Sequence, residues 1–204
     1  NTIQGFTSEG AVLRRWGYRG SGNGQFNNPE SVAVASDGSV YVADRWNQRI
    51  QRFTFRGTDR SEDIFVSQWG TLGWGVGEFK APVGVAVASN GNVYVSDWGN
   101  HRIQRFTSEG VFVNQWGTEG MKDGEFDRPY GIAVAPDGSV YIVDSENHRI
   151  QKFTSEGVFV SKWGTEGTGD GELAYPYGVA VASDGSVYVV GKDNNRIQKF
   201  LPGN

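Results

Sequence analysis

Apolar positions in this chain come in short runs separated by turn residues. Between residues 79 and 125 the runs are GVAVA (84–88), NVYVSD (92–97), RIQRFT (102–107) and VFVNQWG (111–117). Within them bulky apolar residues alternate with small or polar ones at a period near two, the mark of a half-buried strand. Ser-Asn-Gly separates the first two runs and Ser-Glu-Gly the last two. The glycine supplies the positive φ that a tight hairpin needs. No segment carries a helical period of useful length. The pattern therefore predicts four short antiparallel strands, repeated along an all-β chain.

The repetition is explicit. An F-x-x-P start occurs at Phe26, Phe79 and Phe126, and at Leu173 with leucine in place of phenylalanine, giving spacings of 53, 47 and 47 residues. The longer first unit carries its six extra residues within FTFRGTDRSEDIF. Residues 2–25 match the second half of a unit, so the opening reads as the middle of a repeat, as expected of a processed or excised form. DRWNQRIQRF (44–53), DWGNHRIQRF (97–106), DSENHRIQKF (144–153) and GKDNNRIQKF (191–200) are four versions of one ten-residue stretch. Four strands per unit of about 47 residues is the signature of a β-propeller blade. Gly-Val-Ala-Val-Ala suits an innermost strand, where blades converge on a narrow axis. Trp16, Trp69, Trp116 and Trp163 hold one position in successive fourth strands and are expected to pack blade against blade. Residues 106–126 and 153–173 agree at 16 of 21 positions, more than packing demands, which points to recent duplication or deliberate repeat design.

The motif P-x-G-V-A-V-x-x-D-G-x-V-Y-V-x-D-x-x-N-x-R-I-Q-x-F resembles the NHL repeat over essentially the whole chain. The resemblance implies a propeller, which in that family usually has six blades, whereas only four inner strands can be counted here. The expectation is a single NHL-type propeller domain over residues 1–204. Its repeat units are 26–78, 79–125, 126–172 and 173–204, the last completed by 1–25. Residues 11–17 are expected to close the ring as outer strand of the blade formed by 178–201, leaving TIQGFT to compete with RIQKFL for one slot. A self-closed monomer is the expected state, with a strand-exchanged oligomer as the alternative.

Strand order sorts the loops onto two faces. One carries the short, nearly invariant SDG and SEG turns, and the other the variable 2–3 loops and the glycine-rich crossovers, where binding is expected. Asp44, Asp97 and Asp144 each precede an arginine by five residues (Arg49, Arg102, Arg149), a spacing that suits a structural ion pair across the hairpin. Gly191 breaks that pattern and leaves Arg196 to find Asp193 or water. Asn47, Asn100, Asn147 and Asn195 are assigned to the turn. Residues that differ between units are better functional candidates. Trp46, Trp98, Trp74, Tyr130, Tyr177, Glu30 and Arg45 fall on the loop-rich face and make up the predicted ligand-binding set.

Catalytic chemistry has little to build on. The two histidines, His101 and His148, sit 47 residues apart at equivalent hairpin positions, and cysteine is absent, so no metal, cofactor or catalytic residue is expected. Some NHL-like propellers are lyases with a metal and histidines in the central channel, but the inner strands here offer no histidine. A net charge of −4 without any basic run makes nucleic acid an improbable partner. No apolar run approaches the ~20 residues of a membrane span. The reading is a non-catalytic binding or scaffolding module for a protein, peptide or carbohydrate. An NHL-like lyase or hydrolase working in the central channel, and more weakly an RNA binder, are the alternatives.

Overall fold

A computed structural model describes residues 1–55 and 63–202. The expansion of the first unit falls largely at 56–62, outside the described residues. The chain begins with a two-stranded hairpin, β1 (Ile3–Phe6) and β2 (Val12–Trp16). Blade 1 follows as β3 (Pro29–Val34), β4 (Val40–Asp44), β5 (Arg49–Phe55) and β6 (Asp63–Trp69). Blade 2 is β7 (Pro82–Val87), β8 (Val93–Asp97), β9 (Arg102–Phe106) and β10 (Phe112–Trp116). Blade 3 is β11 (Pro129–Val134), β12 (Val140–Asp144), β13 (Arg149–Phe153) and β14 (Phe159–Trp163). Blade 4 has three strands, β15 (Pro176–Val181), β16 (Val187–Gly191) and β17 (Arg196–Phe200). Each blade is an antiparallel meander paired in sequence order, so the protein is an all-β, four-bladed propeller.

Side-chain size explains the inner strands. A Cβ placed on Gly84 would stand 2.4 Å from the Tyr130 carbonyl oxygen, and one on Gly131 would stand 2.7 Å from that of Tyr177. Neighbouring inner strands approach too closely for any side chain there. Between blades the aromatic and branched residues fill continuous layers. Blades 1 and 2 share Tyr41, Ile50, Phe79, Val85 and Phe106, with Trp69 packed against them. Blades 2 and 3 repeat the layer with Tyr94, Ile103, Phe126, Ile132, Phe153 and Trp116. Blades 3 and 4 repeat it again with Tyr141, Ile150, Leu173, Val189 and Trp163. The four tryptophans are thus core residues between blades, as expected from their shared position.

The recurrent polar residues form a buried knot in each complete blade. Asp44 accepts from Arg49 Nε at 2.8 Å, Asp97 from Arg102 at 2.8 Å and Asp144 from Arg149 at 2.6 Å. The rest of each guanidinium caps crossover carbonyls, Arg102 reaching those of Trp74, Gly75 and Glu78. Blade 4 departs from the expectation in two ways. Arg196 turns to the carbonyls of Gly169 and Glu172 rather than to Asp193, and its buried Nε has no partner. The turn asparagine is Asn194, which donates to the Gly167 carbonyl at 3.0 Å, whereas Asn195 takes the left-handed position beside it with φ 48°.

The expected closure is not made. β2 pairs with β1 in the register Ile3↔Trp16, Gln4↔Arg15 and Gly5↔Arg14, and among the described residues β17 pairs only with β16. TIQGFT therefore holds the slot expected for RIQKFL. The hairpin packs on blade 1, where Trp16 joins Phe26, Val40, Val42 and Phe53. The chain is an open arc ending in half a blade on one side and a three-stranded blade on the other.

Candidate functional site

The loop-rich face is held together by bonds between the 2–3 loops and the crossovers. The Trp46 amide donates to the Asn27 carbonyl at 3.0 Å, and the Gly99 amide to the Lys80 carbonyl at 2.8 Å. In blades 1 and 2 the 2–3 loop winds into a single 3-10 turn, Arg45–Asn47 and Trp98–Asn100. These turns lift Arg45, Trp46 and Trp98 onto the face. The inner strands open onto it through the residue after their first proline: Glu30, Val83, Tyr130 and Tyr177.

Three of those four side chains meet at the axis. Tyr130 donates to Glu30 Oε1, and Tyr177 donates to the same oxygen at 2.6 Å. The two phenol oxygens also touch each other, so with one proton apiece the phenols make two of these three bonds at a time, and their rings stack with centroids 3.8 Å apart. Glu30 Oε2 accepts from Arg45 at 3.4 Å and from Asn28 Nδ2 at 3.2 Å. Burial opposes ionisation of Glu30, but the bonds from Tyr130 and Tyr177 and the charge of Arg45 outweigh it and hold the carboxyl below its ordinary value. Burial first, then the bond to ionised Glu30, pushes both phenols up, Tyr130 far above the usual tyrosine range. The centre is a carboxylate with its proton donors fixed around it.

A row of cations and indoles runs outward from this centre. The Arg45 guanidinium lies 5.6 Å from the Trp46 ring and 5.4 Å from the Trp98 ring, and Arg128 lies 5.0 Å from Trp98. Arg128 is paired with Glu146 at 3.1 Å. Arg45 Nε is buried with no acceptor. Of the seven predicted residues, Glu30, Arg45, Tyr130 and Tyr177 are joined by hydrogen bonds, and Trp46 and Trp98 flank Arg45. Trp74 stands apart, exposed, with Lys80 5.8 Å from its ring. Arg128 and Asn28 were not singled out in the sequence. Their signal is a position that changes in every unit immediately before the proline, where Asn28, Ala81, Arg128 and Tyr175 stand.

The histidines lie elsewhere and serve the frame. His101 Nδ1 accepts from the Arg128 amide at 3.3 Å, and His148 Nδ1 from the Tyr175 amide at 3.2 Å. Each fastens its hairpin to the next blade, as Gln48 does by accepting from the Ala81 amide at 2.6 Å.

Comparison with known proteins agrees with this architecture. Among curated proteins, 45 residues are 53% identical to human E3 ubiquitin-protein ligase TRIM32, covering 22% of this chain and 7% of that protein. Over 100 residues the chain is 36% identical to Xenopus laevis peptidyl-glycine alpha-amidating monooxygenase B, covering 47% of this chain and 11% of that protein. The chain thus spans about a tenth or less of these relatives. Among solved structures, virginiamycin B lyase from Staphylococcus aureus superimposes with a TM-score of 0.66 at 19% identity, over 100% of this chain and 64% of that one. The WD40 propeller of Doa1 gives 0.66 at 15% identity, over 96% and 56%. A Bacteroides thetaiotaomicron protein gives 0.72 at 21%, over 95% and 51%. At these identities the likeness concerns the fold alone. The family model for the NHL repeat matches residues 26–53, 79–106, 126–153 and 173–200, more than half of the chain, and the protein belongs to the NHL-repeat family.

Proposed function

We propose that this propeller is a binding module that takes a peptide or protein segment on its loop-rich face, centred on Glu30, Arg45 and Trp98. The observation that carries the reading is the meeting of side chains from three blades at one carboxylate oxygen, which no blade needs for its own folding. Tryptophan and arginine are the residues that dominate protein interfaces, and here they alternate along one row. The Arg45 guanidinium stays partly exposed on this face, where it can donate to a backbone carbonyl or a side-chain carboxylate of a ligand. The names of the curated relatives, a ubiquitin ligase and an enzyme of peptidyl-glycine, suit a polypeptide ligand better than a sugar.

Selection from a displayed random peptide library tests this directly. Recovered peptides should lose about tenfold or more in affinity on Arg45→Ala or Trp98→Ala. They should be indifferent to Asp137→Ala on the opposite face. Peptides that bind Arg45→Ala and Trp98→Ala as tightly as the parent would place recognition elsewhere.

A further inference from the structure

The seven tryptophans divide into two sets by what lies against their rings. Trp16, Trp69, Trp116 and Trp163 recur once per unit and pack on the phenyl and phenol rings between blades. Trp46, Trp74 and Trp98 each occur in one unit only, on the loop-rich face, and each meets a cation instead. Arg45 lies within 5.6 Å of both Trp46 and Trp98, Arg128 lies 5.0 Å from Trp98, and Lys80 Nζ lies 5.8 Å from Trp74. Nothing in the building of a blade asks for these pairs, since the other units do without them.

The three cations are only lightly committed within the chain. Arg105, on the opposite face, shows the contrary case, for both of its terminal nitrogens fork onto Glu156 at 2.7 and 2.8 Å. Arg102 likewise spends Nε, Nη1 and Nη2 inside its blade. Arg45, by contrast, gives one N–H to Glu30 at 3.4 Å, and Arg128 gives one to Glu146 at 3.1 Å. Lys80 is exposed and meets the Trp74 ring, with no carboxylate partner among the described residues. A cation resting on an indole is held in place and partly stripped of water while its remaining N–H donors stay available. An incoming carboxylate therefore finds a positioned partner there.

Apolar surface accompanies the same cations. In the crossover from blade 1 to blade 2, Leu72, Trp74 and Val76 are 67%, 71% and 61% exposed. Their backbone is pinned rather than loose. Arg102 caps the Trp74 and Gly75 carbonyls, Asn100 Nδ2 donates to the Gly73 carbonyl at 2.9 Å, and Glu78 accepts from the Gly75 amide at 2.8 Å. A surface fixed in advance loses little freedom when a ligand settles on it. The positions of Leu72 and Val76 are taken by Glu119 and Asp123 in the next crossover, and by Glu166 and Asp170 in the one after. The face is thus basic and apolar around Trp74 and Trp98 and turns acidic beyond them. The net charge of −4 does not describe this region, because the opposite face adds carboxylates such as Asp37, Glu109 and Glu156.

We infer that the polypeptide taken on this face is acidic, its carboxylates received by Arg45, Arg128 and Lys80 and its apolar side chains laid on Leu72, Trp74 and Val76. The inference rests on the peptide-binding reading above and names the ligand chemistry that the face selects. Single-stranded nucleic acid is also drawn to cations interleaved with aromatic rings. It carries a charge at every nucleotide, however, and would have to run past Glu30 and Glu146, which stand beside the same arginines. A peptide can set its carboxylates against the cations and neutral residues against the rest.

Peptides selected from a displayed random library on the parent chain test the inference. They should be enriched in aspartate and glutamate, and should bind about tenfold more weakly to the Lys80→Glu, Arg128→Glu double variant and at high salt. Replacing their acidic residues by lysine should restore affinity for the double variant, which a misfolded variant could not show. Neutral or basic peptides that nonetheless depend on Trp98 would overturn the inference and leave the peptide-binding reading standing. So would Trp98-dependent peptides that bind the charge-reversed variant as well as the parent. Peptides indifferent to Trp98→Ala, or a single-stranded oligonucleotide that binds the parent where acidic peptides do not, would overturn both.

Discussion

β9 and β17 share the sequence Arg-Ile-Gln followed by a basic residue and phenylalanine, yet they live in different surroundings. All five residues of β9 are buried, whereas β17 alternates between half-buried and exposed. Ile103 is fully covered, and Ile197, its equivalent two units on, is 67% exposed. Local sequence and pairing with the preceding strand are alike in the two. What differs is the outer strand and the next blade. In this fold the burial of a residue belongs to the junction between blades, so stability is carried by nearest-neighbour layers. Interior junctions are finished, and the terminal one is half of a finished junction.

The contrast is broken most severely at the indoles and the buried ion pairs. Trp116→Ala opens a cavity between Tyr94 and Phe153 and should cost about 3–5 kcal/mol in chemical denaturation. The same change at Trp163, which borders the open cleft, should cost about 1–3 kcal/mol. Equal losses would mean that the cleft is as well packed as the interior. Asp97→Ala strands Arg102, Asn100, Gln104 and the Lys80 amide together and should cost about 3–5 kcal/mol.

Much of this was legible in the sequence because the repeat shows each signal several times. Period-two runs and SDG or SEG turns give the strands and hairpins, and the constant tryptophans give the interblade core. Comparing units also exposes Glu30, Tyr130 and Tyr177 as residues a blade does not require. Their convergence was not legible, since it depends on how sharply the inner strands curve about the axis. Assigning Asn195 to the turn slipped by one residue in GKDNNR. The Asn-x-Arg spacing of Asn47 and Arg49, applied back from Arg196, points to Asn194. Closure could not be read from pattern because TIQGFT and RIQKFL fit the same slot. The structure takes the local strand, which a short turn already joins to β2, over one that must close a long loop.

Gly191→Asp sharpens the comparison from the weak end. In the complete blades the aspartate at this position receives arginine Nε, the turn asparagine, the glutamine two residues after the arginine and a crossover amide. In blade 4 Arg196 Nε is buried without a partner, while Asn194 and Gln198 bond carbonyls nearby. Gly191 has no positive φ, and an added Cβ would meet Asn194 at 3.3 Å, a contact that a small shift of that side chain relieves. The substitution should raise stability by about 1–2 kcal/mol. Thermal or denaturant unfolding reads the change, and a loss of stability would show that Arg196 no longer lies where Arg102 and Arg149 do.

The smallest effect belongs to the axis, where Glu30 sits among Tyr130, Tyr177 and Arg45. Glu30 is kept below the ordinary carboxylate value in the folded state. Its contribution is therefore complete above the unfolded-state value of about 4.3 and is lost as pH falls through the lower, folded value. Glu30→Gln should cost no more than about 1 kcal/mol at neutral pH, because solvent reaches the group. That difference should shrink toward zero on acidification, as the parent's own carboxyl takes up a proton. The substitution should nonetheless weaken peptides selected on the parent face, since Tyr130, Tyr177 and Arg45 lose the charge that orders them. A pH-independent stability difference, with peptide binding untouched, would reduce the Glu30 cluster to packing at the mouth of the axis and leave recognition to the Trp46–Arg45–Trp98 row alone.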